Sequence, residues 1–262
     1  MTKDTPWWTV QRGPSPIVAT AIHDGNDLRP EVAAAMKLDN AGRLREEDPF
    51  TGQAIVDVPT HVIVHRSRFE FDLNRGVDGA IYEAPEQAWG LDVWHQRPER
   101  SLVDGSLAIH RSYYRMLGDL LDGIADEHER FVVIDVHSYN HLRDGPDGDV
   151  TPQQDAPDIN IGTSSMPREQ WAFLMDPLIE AMQGFDFNGR NLDVRENVAF
   201  QGKGEQTRFI HERYPGRGCA IALEFKKFFM DEWSGEPDPA ELDAMRRFIA
   251  FTADMARAIL TR

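Results

Sequence analysis

Three short apolar runs constrain this chain most. They are residues 17–22 (IVATAI), 131–136 (FVVIDV) and 219–223 (CAIAL). A strand that is apolar on both faces belongs inside a sheet covered on both sides. Each run stops at an ionisable residue: His23, His137 and Glu224. In open α/β sheets, ligands bind beyond the carboxyl ends of the strands. If the three strands are parallel neighbours, two imidazoles and a carboxylate converge on one crevice.

Helical patterns alternate with these strands. Residues 30–37 (PEVAAAMK) read as a short helix with Pro30 at its first position. Apolar residues at 109, 113, 116, 117, 120, 121 and 124 mark an amphipathic helix over 107–124. A helix fits 167–183, bounded by Pro167 and Gly184, and another runs from Asp238-Pro239 to about residue 260. In 61–75, Phe69, Phe71 and Leu73 alternate with Arg68, Glu70, Asp72 and Asn74, the period of a strand or hairpin. Residues 218–225 complete the set of strands. With no repeats and no linker, this order predicts one α/β domain over 1–262, a mixed, mostly parallel central sheet flanked by helices. The stretches 76–105 and 139–165, the second containing the Pro/Gly-rich 144–158, are too long for simple connectors. Segments of that length line a site or form a lid.

A chain of 262 residues, 41% of them hydrophobic, can bury a substantial core. Its net charge of −16 argues against nucleic acid and against anionic membranes. An acidic small molecule remains acceptable as substrate where cations are concentrated locally. Cys219 is the only cysteine, so no internal disulfide can form. The first residues, MTKDTPWWTVQRGPSP, lack the apolar core of a signal peptide, and no apolar run approaches the roughly 20 residues of a membrane span. A cytoplasmic protein is expected, with homo-oligomerisation left open.

Taken singly, each polar residue at a strand end has an ordinary explanation. The chain has nine histidines, and one after a strand means little. Glu224 could pair with Lys226 or Lys227. The coincidence of three such ends points further, because two His and a carboxylate are a standard zinc set. Arg68 and Asn74 are six residues apart, so on a strand they share a face. With Arg75 they would suit a carboxylate and a polarised carbonyl, or merely a surface of salt bridges. Asp135, two residues before His137, is either a partner of that imidazole or a structural acid.

AIHDG, SRFEFDLNR, VIDVHS and ALEF, in this order and spacing, resemble the N-formylglutamate amidohydrolase family, whose fold is similar to that of zinc carboxypeptidases and aspartoacylases. DINIGT (158–163) and KGEQTRFIHERYP (203–215) look like further parts of it. The resemblance implies one zinc ion held by His23, His137 and a carboxylate. The carboxypeptidase relatives place a Glu three residues after the first His, where this chain has Asn26. The acid is therefore expected from REEDPFTG (45–52): Glu47, with Glu46, Asp48, Asp24 and Asp27 as alternatives. Glu224 is then the general base and Arg68 the oxyanion stabiliser. Asn74, Arg75 and Arg208 hold the substrate carboxylate. The implied activity is hydrolysis of an N-acyl amino acid, N-formyl-L-glutamate or a relative. A metal-free binding protein of the same fold, or a zinc peptidase, are the rival readings. The remaining histidines and the six tryptophans are read as structural, although Trp89 or Trp94 could cover a substrate.

Overall fold

The computed structural model describes residues 6–261. Seven strands form one sheet: β1 (Trp8–Gln11), β2 (Ile17–Ala21), β3 (Thr60–Val64), β4 (Phe131–Tyr139), β5 (Ile159–Gly162), β6 (Val194–Glu196) and β7 (Gly218–Lys226). The helices are α1 (Pro30–Ala35), α2 (Asn40–Glu46), α3 (Thr51–Ala54), α4 (Arg100–Glu127), α5 (Ala172–Gln183), α6 (Glu205–Arg213) and α7 (Pro239–Leu260).

The strand order is β1-β3-β2-β4-β7-β5-β6. β3, β2, β4 and β7 run parallel. β1 is antiparallel to β3, and β5 is antiparallel to β7. The sheet is thus mixed and mostly parallel, as expected. The three runs read from the sequence are its middle, and β2, β4 and β7 are buried along their whole length. Alternate side chains enter opposite layers. Ile17, Val132, Ile134 and Ile221 pack with Leu174, Met245 and Phe248 of α5 and α7. Val18, Val133 and Ala220 pack with Tyr113, Leu117 and Ile210 of α4 and α6. Asp238 caps α7 by accepting from the backbone N–H groups of Ala240 and Glu241, with Pro239 in the first turn.

Two local expectations change. The strand predicted over 61–75 ends at Val64, and 65–75 is a chain of turns. Alternation misleads there because the polar residues are buried too. Glu70 accepts from the backbone and guanidinium of Arg29, and Asp72 accepts from Arg68. Both carboxylates are fully buried beside Phe69, Phe71 and Leu73. The stretch 139–165 also contains β5, too short to show a period against its polar flanks. The predicted helix at 107–124 begins earlier, at Arg100, and that at 167–183 becomes helical only from Ala172. No helix among the described residues is long and apolar enough to cross a membrane.

Candidate metal centre

His137 and Glu224 are direct partners in the β4/β7 register, so parallel pairing alone sets them side by side. His23 follows the adjacent β2, and its ring centroid lies 5.0 Å from that of His137. Asp48 joins them because its backbone N–H donates to the His23 carbonyl at 2.9 Å. Its Oδ2 lies 3.0 Å from His137 Nδ1 and 3.4 Å from His23 Nδ1. One donor atom from each of His23, Asp48 and His137 lies within 4.8 Å of the others, all three residues being buried.

The carboxylate that faces the two imidazoles is therefore that of Asp48 rather than the expected Glu47. α2 ends at Glu46, and Glu47, which caps it, has an extended backbone (ψ 173°). Successive side chains of an extended segment point to opposite sides, so only one of the neighbours can face the histidines. Glu47 instead accepts from Ser67 Oγ and, at 2.5 Å, from Asn26 Nδ2. Asn26 is thereby bound to the residue next to the cluster. Asp24 accepts from the Gly52 backbone at 2.9 Å, and Glu46 pairs with Arg45 at the crevice edge. Asp27 is joined through its backbone to His65 and Ser67. None of these three acids belongs to the cluster.

Each imidazole has a carboxylate behind it. His23 Nε2 is 2.7 Å from Asp72 Oδ1. Asp135 Oδ2 is 3.0 Å from His137 Nε2, although neither atom has a well-directed hydrogen-bond partner. A buried chain supports Asp135: Tyr113 OH donates to Gln206 Oε1, Gln206 Nε2 to Thr20 Oγ1, and Thr20 Oγ1 to Asp135 Oδ1. Asp72, which sequence alternation assigned to the polar face of a strand, is a central member of the site.

The residues fit a divalent ion. With Nε2 on Asp72, His23 turns Nδ1 toward the cluster, and this buried nitrogen has no hydrogen-bond partner. Two imidazoles and one carboxylate, oriented by further carboxylates, are the donor set of a catalytic zinc site. Burial would raise the Asp48 pKa, but the hydrogen bond from His137 and the charge of both imidazoles hold it far below the carboxylate range. Burial lifts Glu224 to about 7, opposed by the charge of His137. Arg68 is half-buried, yet Asp72 keeps its guanidinium firmly charged.

The crevice at the cluster holds about 80 Å³ and is bordered by Arg68, Asn74, Trp89, Phe200 and Glu224. Arg68 donates to Tyr82 OH, the Glu46 carbonyl and Asp72, and lies under the Trp89 ring at 4.7 Å. Asn160, opposite Glu224 in the β5/β7 register, fixes the segment bearing Phe200 through the Phe200 carbonyl.

Two expected substrate-binding residues do not line this crevice. Arg75 donates to the Gln87 carbonyl at 2.7 Å and stacks on Tyr82. Arg208 lies on an exposed side of α6, paired with Glu205. In a nine-residue helix, Arg208 is three positions past Glu205 and so shares its face. Lys227, expected only as a counter-ion of Glu224, has a larger part. It lines the crevice, and its Nζ donates to the carbonyls of Arg45 and Glu47 at 2.5 and 2.7 Å, tying down the segment that carries Asp48.

The chain matches the family model of N-formylglutamate amidohydrolase over residues 15–230. Its fold is similar to that of an N-formylglutamate amidohydrolase from Ralstonia eutropha JMP134, with a TM-score of 0.74 and 15% identity over 96% of this chain and 97% of that one. It is also similar to a gene product of Agrobacterium tumefaciens, with a TM-score of 0.66 and 12% identity over 98% of this chain and 96% of that one. At such identities the likeness to the solved structures is one of fold. A comparison with curated proteins gave no match.

Proposed function

We propose that this chain, which belongs to the N-formylglutamate amidohydrolase family, is a zinc-dependent enzyme hydrolysing the amide bond of an N-acyl amino acid. N-formyl-L-glutamate or a close relative is the substrate. The observation that carries this reading is the buried His23–Asp48–His137 cluster with Glu224 beside it in register. His23, Asp48 and His137 would hold the ion. Bound there, zinc would polarise the amide carbonyl and lower the pKa of water towards ~7.

The protein's own groups account for the rest. Glu224 takes a proton from the attacking water and returns it to the leaving nitrogen. Burial raises this carboxyl above the ordinary carboxylate range, which favours its carrying the proton between the two transfers. Arg68 has three of its five N–H donors engaged, which leaves two for the oxygen of the tetrahedral intermediate. Asp72 and Asp135 hold the imidazole rings in place. Asn74 offers its side-chain amide to the substrate. Trp89 and Phe200 at the mouth exclude water from the reacting carbonyl, which strengthens these interactions.

The deciding experiment is a hydrolysis panel of N-formyl, N-acetyl and N-succinyl amino acids, run on chelator-treated and zinc-reconstituted protein. Zinc-dependent release of the amino acid, fastest with N-formyl-glutamate, is expected. Equal turnover with and without zinc would remove the metal, and no turnover of any member would remove the activity.

A further inference from the structure

With Arg75 and Arg208 turned elsewhere, Asn74 alone of the residues predicted for the carboxylate of the amino acid half lines the crevice, and that carboxylate has no cation among them. The crevice continues into a second chamber of about 220 Å³, which shares Asn74, Phe200 and Glu224 with the first and is otherwise lined by Lys203, Gly204 and Thr207 among others. None of the cluster residues lines this chamber. Glu224 must reach the leaving nitrogen, and that nitrogen joins the acyl carbon to the amino acid. A wall formed by Glu224 between a narrow space at the cluster and a wider one beyond therefore assigns the halves. The acyl group lies at the cluster and the amino acid in the wider chamber.

Lys203 is the cation of that chamber. It is exposed and has no ion pair or side-chain hydrogen bond among the described residues, in a chain with 44 acidic groups. Its backbone is closely seated on both sides. Gly202 has φ +67°, and a Cβ there would meet the Gly162 backbone at 2.3 Å. A Cβ on Gly204 would lie 1.7 Å from Asn74 Oδ1. The Glu205 N–H also donates to the Asn74 carbonyl at 3.0 Å. Only glycines on either side allow the loop to press this close to β5 and to Asn74.

We infer that Lys203 binds the carboxylate of the substrate's amino acid half and, with Asn74, sets the preference for acidic N-acyl amino acids. This rests on the amidohydrolase reading for the placement of the halves. Binding and hydrolysis are therefore measured separately. L-Glutamate is titrated calorimetrically into zinc-loaded wild type, Lys203→Met, Lys203→Arg and Arg208→Met, with zinc content and melting temperature recorded for each. Lys203→Met should weaken binding by ~10-fold or more, the scale of a charge-assisted hydrogen bond, with zinc content unchanged. Lys203→Arg should retain most of the affinity, and Arg208→Met should bind like wild type. In turnover, Lys203→Met should raise KM for N-formyl-glutamate far more than it lowers kcat. Equal L-glutamate binding by wild type and Lys203→Met, a loss as large in Arg208→Met, or no binding by wild type would overturn the assignment. Lys203-dependent binding without hydrolysis of any acyl amino acid would keep this subsite and refute the proposed reaction.

Discussion

Asp48 and Glu47 are neighbours of like charge in opposite situations. Asp48 faces two imidazoles, whereas Glu47 is enclosed by Ser67 and Asn26. Asp48→Asn should lose bound zinc, because the amide neither carries the charge nor ligates as strongly. Glu47→Gln should keep it, since an amide can still bond Ser67 and Asn26. Metal analysis of both variants after dialysis checks this, and the reverse pattern would return the role to Glu47. Glu224→Gln tests the proton transfer. It preserves size and hydrogen bonding but cannot accept the proton, so kcat should fall by at least ~10²-fold with zinc retained. A structural Glu224, paired only with neighbouring lysines, predicts lower melting temperature and near-normal turnover. The contacts of both lysines weigh against such pairing. Lys226 donates to Gln153 and the Ala156 carbonyl, and Lys227 to backbone carbonyls.

At the scale of elements, α6 carries the loop of Lys203 at its start and is fixed to the sheet by His211. His211 Nε2 accepts from the Ala220 backbone at 2.9 Å, and Nδ1 lies 3.1 Å from Ser165 Oγ. The accepting nitrogen must be unprotonated. Burial accordingly lowers the pKa of His211 from 6.5 to about 4. The unfolded chain binds this proton first, so between pH 6.5 and 4 acid favours unfolding. The shift corresponds to roughly 3 kcal/mol lost across that window. His211→Gln has no such proton to bind. Its melting temperature should be lower than wild type at pH 7.5 but should fall less steeply towards pH 4.5. Parallel slopes would mean that His211 does not contribute to acid sensitivity.

Across the whole molecule, the net charge of −16 opposes the approach of a substrate that is itself an anion. Long-range repulsion is screened by salt, as the Debye length falls from ~30 Å at 0.01 M to ~8 Å at 0.15 M. Direct contacts within the crevice are screened much less. For N-formyl-glutamate, kcat/KM should therefore rise by ~2–5-fold over that range, while a neutral N-formyl amino acid should show little change. A fall with salt would mean that the cations around the crevice outweigh the acidic surface during approach.

The sequence by itself determined the sheet's centre and three members of its site. Runs apolar on both faces can be buried only in the middle of a covered sheet. The residues that follow them, His23, His137 and Glu224, then had to come together towards one edge because β2, β4 and β7 are parallel neighbours. Arg68 and Asn74 were also legible, through the SRFEFDLNR motif, although not for the reason given by strand parity, since 65–75 is irregular. Only the tertiary structure decided among Glu46, Glu47 and Asp48. Three consecutive acids are equivalent in sequence, and the choice depends on where α2 ends and on the backbone bond from Asp48 to His23. The same holds for Asp72, whose alternation marked it as solvated and whose partners come from residues 49 positions away and four positions away. It holds for Lys203 and Arg208 too. They share a short segment, and the packing of Gly202 and Gly204 against β5 and Asn74 places Lys203, not Arg208, at the chamber.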